Sequence, residues 1–240
     1  MSFSKCITYF VIILSFSSFK RDQSPKLRYT NWISLKVKEP SDIAVAPNGK
    51  TFFVVSDDQA AVYEMDVTGK IVRNSLTLGV DLEAVCARSD YLFVVDETPR
   101  KIYQLNYSDL SVVRTFIVPY SGGRNKGFES ITFNEEKKCF VLITEKDPVY
   151  IFELDKDFKV INEYSWSKSR DISAATFYNG FVYLLSDEDM TVFKCKASNY
   201  EVLEKYRINV HNPEGIAMYN NQMLLVADDL ERLYFFNQPN

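Results

Sequence analysis

The stretch NPEGIAMYNNQMLLVADD (212–229) alternates apolar and polar residues, turns at Asn220-Asn221 and returns through a second apolar run. Period-two alternation on both sides of a two-residue Asn turn reads as a β-hairpin. Its two open ends carry acids, Glu214 at the start and Asp228 and Asp229 at the finish. The same pattern recurs as EPSDIAVAPNGKTFFVVSDD (39–58), VDLEAVCARSDYLFVVDE (80–97), KGFESITFNEEKKCFVLITE (126–145) and RDISAATFYNGFVYLLSDE (170–188). Ser41, Glu83, Glu129, Ser173 and Glu214 form one column, spaced by 42, 46, 44 and 41 residues. That is the period of a four-stranded propeller blade.

The residues between the hairpins complete each unit. A third strand follows each copy: AAVYEMDV (60–67), KIYQLNY (101–107), PVYIFELD (148–155), MTVFKCKA (190–197) and RLYFFNQ (232–238). Copies one to four add a fourth, at 70–78, 111–118, 159–166 and 201–208. The fifth copy has none, but YTNWISLKV (29–37) stands unused before the first. Docking that strand on the last blade would pair an open edge and close the ring. The expected fold is therefore all-β, a five-bladed β-propeller over residues 29–240 closed by its N-terminal strand. A pair of β-sandwiches also has short, evenly spaced strands, but needs neither a periodic acid column nor a strand supplied by the other terminus.

Composition agrees with a packed globular domain, since 46% of residues are hydrophobic and 15% aromatic. Lys and Arg number 28 against 32 Asp and Glu, so no basic footprint for nucleic acid exists. The N-terminus has Lys5, an apolar run over 6–16 and then small and polar residues, the plan of a signal peptide over residues 1–17. The run is short for a bilayer span, which needs about 20 residues. Export to the periplasm or cell exterior is expected, with cleavage after Ser17 favoured over an uncleaved membrane anchor, and residues 18–28 as a linker. Cys86, Cys139 and Cys195 each lie in or beside a strand and read as core residues rather than a disulfide framework.

A propeller brings the open ends of all five hairpins to one channel mouth. The inner column would meet there, with Asp57, Asp96, Glu145, Asp187 and Asp228 further out, often doubled by Asp58, Glu97, Glu188 and Asp229. Glu39, Asp81, Asp171 and Asn212 lie two residues before the inner column, on the same strand face. Crowded carboxylates raise one another's pKa or require a cation. Oxygen donors with a single histidine and no cysteine cluster favour a hard ion, and calcium accepts roughly six to eight oxygens in loose geometry. The expected calcium ligands are Glu83, Glu129, Glu214, Asp96, Glu145 and Asp228. Acids after strands are also ordinary turn residues, which is an even alternative for the outer ones. At the rim, Arg124 and Lys126 in PYSGGRNKG (119–127), with Arg170, could seat an anionic ligand, although a mixed-charge soluble rim is the simpler reading. His211 is a candidate base by elimination only.

These residues also carry a likeness. EPSDI, DLEAV followed by FVVDE, and NKGFESITF followed by ITEKDPVYIFEL resemble the SdiA-regulated family of bacterial propellers, with its EPSGI, DLEGI and GFEGL runs. The resemblance covers the chain beyond the signal and implies a five-bladed propeller, related to NHL-repeat propellers, with calcium in the channel. It places Glu83 and Glu129 at the glutamates of two of those runs, while Asp42, Ala84 and Ser130 stand where the family favours Gly. It implies no settled activity. Two functions stay open: a calcium-dependent hydrolase of a small ester, lactone or phosphoester, and a non-catalytic propeller binding a small molecule or protein at the mouth with calcium as a structural staple. A monomer is expected.

Overall fold

The computed structural model describes residues 24–121 and 127–239. The expected signal peptide and the rim residues Arg124 and Lys126 lie outside them. The described chain is all-β, and among the described residues no helix is long and apolar enough to cross a membrane. A first strand, β1 (Tyr29–Ser34), precedes five antiparallel units. Unit one contains β2 (Pro40–Val45), β3 (Thr51–Ser56), β4 (Ala61–Asp66) and β5 (Ile71–Asn74). Unit two contains β6 (Leu82–Arg88), β7 (Tyr91–Asp96), β8 (Lys101–Asn106) and β9 (Val112–Ile117). Unit three contains β10 (Phe128–Asn134), β11 (Cys139–Thr144), β12 (Val149–Leu154) and β13 (Val160–Trp166). Unit four contains β14 (Ala174–Tyr178), β15 (Phe181–Ser186), β16 (Thr191–Lys196) and β17 (Val202–Arg207). Unit five contains β18 (Pro213–Tyr219), β19 (Gln222–Ala227) and β20 (Arg232–Asn237).

Each sheet is ordered as the chain runs, except the last, which reads β1-β20-β19-β18. There β1 pairs antiparallel with β20, Trp32 opposite Tyr234 and Ser34 opposite Arg232. The N-terminal strand thus completes the fifth blade, as the missing fourth strand required. Strands β2, β6, β10, β14 and β18 touch in a closed circle around the axis. The expected linker is not wholly free of the fold: Lys26 bridges Arg207, and Leu27 N–H donates to the Arg207 carbonyl at 2.8 Å.

Middle strands such as FVLIT and MLLVA are apolar on both faces because a neighbouring blade covers each face. The buried residues accordingly form five clusters, one between each pair of adjacent blades. Between blades two and three, Phe140 lies 4.6 Å from Phe93 and stacks on Phe158 at 4.5 Å between ring centroids. Such aromatic pairs add about 0.5–1.5 kcal/mol beyond area burial. Cys86, Cys139 and Cys195 are free and buried, as core residues should be.

Candidate metal centre

The site begins with an irregularity in the innermost strands. In β2, β6, β10 and β18 the register against the next strand slips by one residue, at Ser41, Glu83, Glu129 and Glu214 respectively. Leu82 pairs with Asp96 and Ala84 with Val95, so Glu83 has no cross-strand partner. A bulge leaves the extra residue unpaired and re-aims its side chain. Four of the five inner-column residues are therefore bulge residues at one end of the channel. Gly215 follows one of them because there is no room for a side chain: a Cβ there would meet the Asp42 Cα at 2.6 Å.

The tightest convergence joins two blades. Asp57, Asp81 and Glu83 each place a carboxylate oxygen within 4.8 Å of the others. Two oxygens on one calcium ion lie at most about 5 Å apart, given bond lengths of 2.3–2.6 Å. All three are only half-buried. Glu97 and Glu129 extend the group and share a hydrogen bond, which requires a proton on one of them. Glu97 also accepts the Gly127 N–H at 2.7 Å. Asp81 has a second role, accepting the Thr98 N–H at 3.1 Å.

The electrostatics record the crowding. Burial, then the charges of Asp57 and Asp81, holds the Glu83 carboxyl well above the usual carboxylate range. Burial, then Glu83 and Glu97, does the same to Glu129. Glu214 is pushed up to about 8 by burial and by Asp187 and Asp228, and Asp57 to about 6 by burial and by Asp81. Burial and neighbouring acids also raise Asp187 and Asp228. A cation at this mouth would reverse the penalty, and the acids are of the hard-oxygen type that calcium takes. The donor set fits the ion.

The three expected inner glutamates are thus brought to one mouth, and Asp228 stands beside them. Glu145 is also near, but Lys146 pairs with it and reaches Glu188 at 3.4 Å. Asp96 is not brought to the ring. It is 1% exposed and accepts N–H groups from Val80 and Asp81 at 3.3 and 3.1 Å and the Tyr103 hydroxyl at 2.9 Å. The pairing register explains why. Asp96 is equivalent to Ser56, Thr144 and Ser186, whose hydroxyls likewise accept backbone N–H groups in their own turns. The true second column is Asp57, Glu97, Glu145, Asp187 and Asp228, with an acid in every blade. Aligning blade two on Asp96 was one residue out, and one residue changes the face.

Asp57, Asp81 and Glu97 fall outside the ligand set expected from the sequence, although the doubled acid DE at 96–97 and the acid two before Glu83 mark two of them. Asp171, in the same column as Asp81, is spent on the Ser186 hydroxyl and the Asp187 N–H. Of the rim cations, Arg170 is engaged by Asp189 at 2.7 Å and Glu188 at 3.4 Å. His211 lies 3.2 Å from Asp229 with 74% of its side chain exposed.

Five four-stranded blades around a channel with an acid-lined mouth define a five-bladed β-propeller. The sequence model of the SdiA-regulated family matches residues 28–237, and the chain belongs to that family. Among solved structures it is similar to glutaminyl cyclase of Myxococcus xanthus, with 12% identity, a TM-score of 0.71, and 89% of this chain and 98% of that one covered. It is also similar to virginiamycin B lyase of Staphylococcus aureus, at 15% identity and a TM-score of 0.52, covering 83% of this chain and 66% of that one. Both likenesses concern the fold.

Proposed function

We propose that this protein is an extracytoplasmic propeller that binds one calcium ion at its channel mouth. The convergence of Asp57, Asp81 and Glu83 carries the reading, with Glu97 and Glu214 close enough to raise the Glu83 carboxyl and Glu83 and Glu97 that of Glu129. Carboxylates crowded at a partly buried mouth either hold protons or take a counter-charge, because each ionisation there is opposed by burial and by its neighbours, and a calcium ion would supply that charge. Extracellular calcium modules bind at 10⁻⁴–10⁻³ M, an affinity sufficient outside the cytoplasm, where the signal-like N-terminus would send the chain.

A hydrolase reading has one specific support. Three carboxylates fill only part of a shell of six to eight oxygens, and the cluster is half-exposed, so ester or phosphoester oxygens could complete it from solvent. Bound calcium would polarise such an oxygen. In the metal-free chain burial and neighbouring acids push the Glu214 carboxyl up to about 8; bound calcium would lower it, and Glu214 would then stand on the same mouth as a carboxylate base toward an attacking water. Solved propellers of this shape include a cyclase and a lyase, but fold alone does not carry an activity.

The test is calorimetric titration of calcium into chelator-stripped full-length protein, beside Glu83→Gln. One site per chain that weakens at least tenfold in the variant is expected. Absence of binding heat, together with an unchanged melting midpoint in calcium, would overturn the metal reading. Release of p-nitrophenol from its acetate or phosphate ester, dependent on calcium and lost in Glu214→Gln, separates the hydrolase from the binding module.

A further inference from the structure

The far half of the channel is a separate chamber. One layer below the acid mouth, the Asp42 carboxylate accepts the Ile43 N–H at 2.8 Å and, from the next blade, the Val85 N–H at 2.9 Å. It also accepts from Ile216 in the fifth blade. At 1% exposure, Asp42 lets solvent reach it from neither end. Beyond this layer the inner strands surround a partly open cavity of about 210 Å³, bounded by Ile43, Val85, Ile131, Ile216, Phe177 and Met218 among others. That is room for about seven waters at the liquid's 30 Å³ each.

Few polar side chains line this chamber: Arg88, Thr132, Glu135 and Thr176. Arg88, the last residue of β6, lines it with Glu135 and Thr132. The Arg88 guanidinium is held by stacking, its carbon 3.6 Å from the Phe133 ring centroid. Its Nε is buried and has no hydrogen-bond partner, since the nearest carboxylate oxygen, on Glu135, is 3.6 Å away. The other Glu135 oxygen is taken by Lys138 at 2.9 Å. A guanidinium carries five donors in a fixed fork; 38% of the Arg88 side chain is exposed, so water meets its outer donors and the cost of an unmade bond falls on the buried Nε. Here the stack positions the fork, Glu135 pairs with it at ion-pair distance, and nothing among the described residues hydrogen-bonds the buried Nε. Thr132 accepts the Phe177 N–H at 3.0 Å, so its own hydroxyl hydrogen remains available to a second acceptor.

We propose that this chamber is a binding site for a small organic monoanion, a carboxylate with a short apolar body, whose head meets Arg88 while its tail fills the apolar walls. The nearby Glu135 charge disfavours a dianion such as phosphate, and a neutral ligand would give the buried Nε no charge-assisted partner. The site is independent of the calcium mouth, from which the Asp42 layer divides it.

The experiment is calorimetry on full-length protein kept in calcium, titrated with sodium butyrate or sodium benzoate, and with butyramide or benzamide as neutral counterparts. One site per chain is expected for an acid, with its amide at least tenfold weaker, as loss of a charge-assisted contact implies. Arg88→Gln should lower acid affinity at least tenfold and leave calcium binding unchanged. Thr176→Phe, on the cavity wall, should abolish acid binding by filling the space. If either variant fails to fold, methyl-labelled methionine in the wild type still reports: the Met218 methyl resonance should move with benzoate while Met65 stays. No binding of either acid, equal binding of acid and amide, or a still Met218 resonance overturns the proposal.

Discussion

Glu214→Gln isolates the energetic consequence of the acid mouth in the absence of metal. In the folded chain the Glu214 carboxyl is pushed up to about 8 from an ordinary value of 4.5. A raised carboxyl pKa means that the folded state holds a proton that the unfolded chain releases. The contribution to stability is therefore undiminished below about pH 4.5, falls as pH rises, and reaches its floor above about pH 8. At pH 7 the penalty is about 3 kcal/mol, an upper figure because Glu214 is only half-buried and its neighbours relax with it. Gln keeps the shape and removes the charge. In chelator at pH 7 the variant should be more stable than wild type by up to about 3 kcal/mol, or about 6–12 °C in midpoint for a domain of this size. Its stability should also change less between pH 5 and pH 8. Calcium should reverse the order, raising the wild type more than the variant. The assay is urea and thermal unfolding at pH 5, 6, 7 and 8, with calcium and with chelator. A variant no more stable than wild type in chelator, with the same pH slope, would show that Glu214 is not a desolvated charge.

Four further outcomes follow from the architecture. Deleting residues 29–37 removes β1 and opens the edge of β20, so the truncated protein should aggregate or melt far below the full chain in light scattering and calorimetry. Asp96→Ala should cost about 2–4 kcal/mol in urea unfolding with calcium affinity little changed, because buried N–H groups lose their acceptor, whereas Glu97→Gln should weaken calcium and spare the fold. Glu83→Gln and Glu129→Gln should each reduce calcium-dependent stabilisation more than Asp58→Asn, as read by midpoint shifts with and without chelator. Sequencing the N-terminus of native protein should find the mature chain beginning shortly after Ser17, and retention of Met1 in a cytoplasmic pool would contradict export.

Five hairpins of near-equal period, an alternation of two along each strand and one unpaired strand at the N-terminus are local facts of the sequence, and they sufficed for the propeller and its closure. Local periodicity survives because each blade is one repeating unit that must bury both faces against its neighbours. The glutamates Glu83, Glu129 and Glu214 were legible for the same reason, being matched positions one blade apart. The bulges were not, since an extra residue in one strand leaves no mark on a pattern of apolar and polar letters, yet it decides which side chain faces the axis. Asp96 and Glu97 are adjacent acids that only cross-strand register tells apart, one turned into its blade and the other toward the mouth. The meeting of Asp57 with Asp81 and Glu83, and the division of the channel by Asp42, join residues of different blades. Such distances depend on how blades pack around a common axis, and that packing is a property of the closed ring rather than of any one repeat.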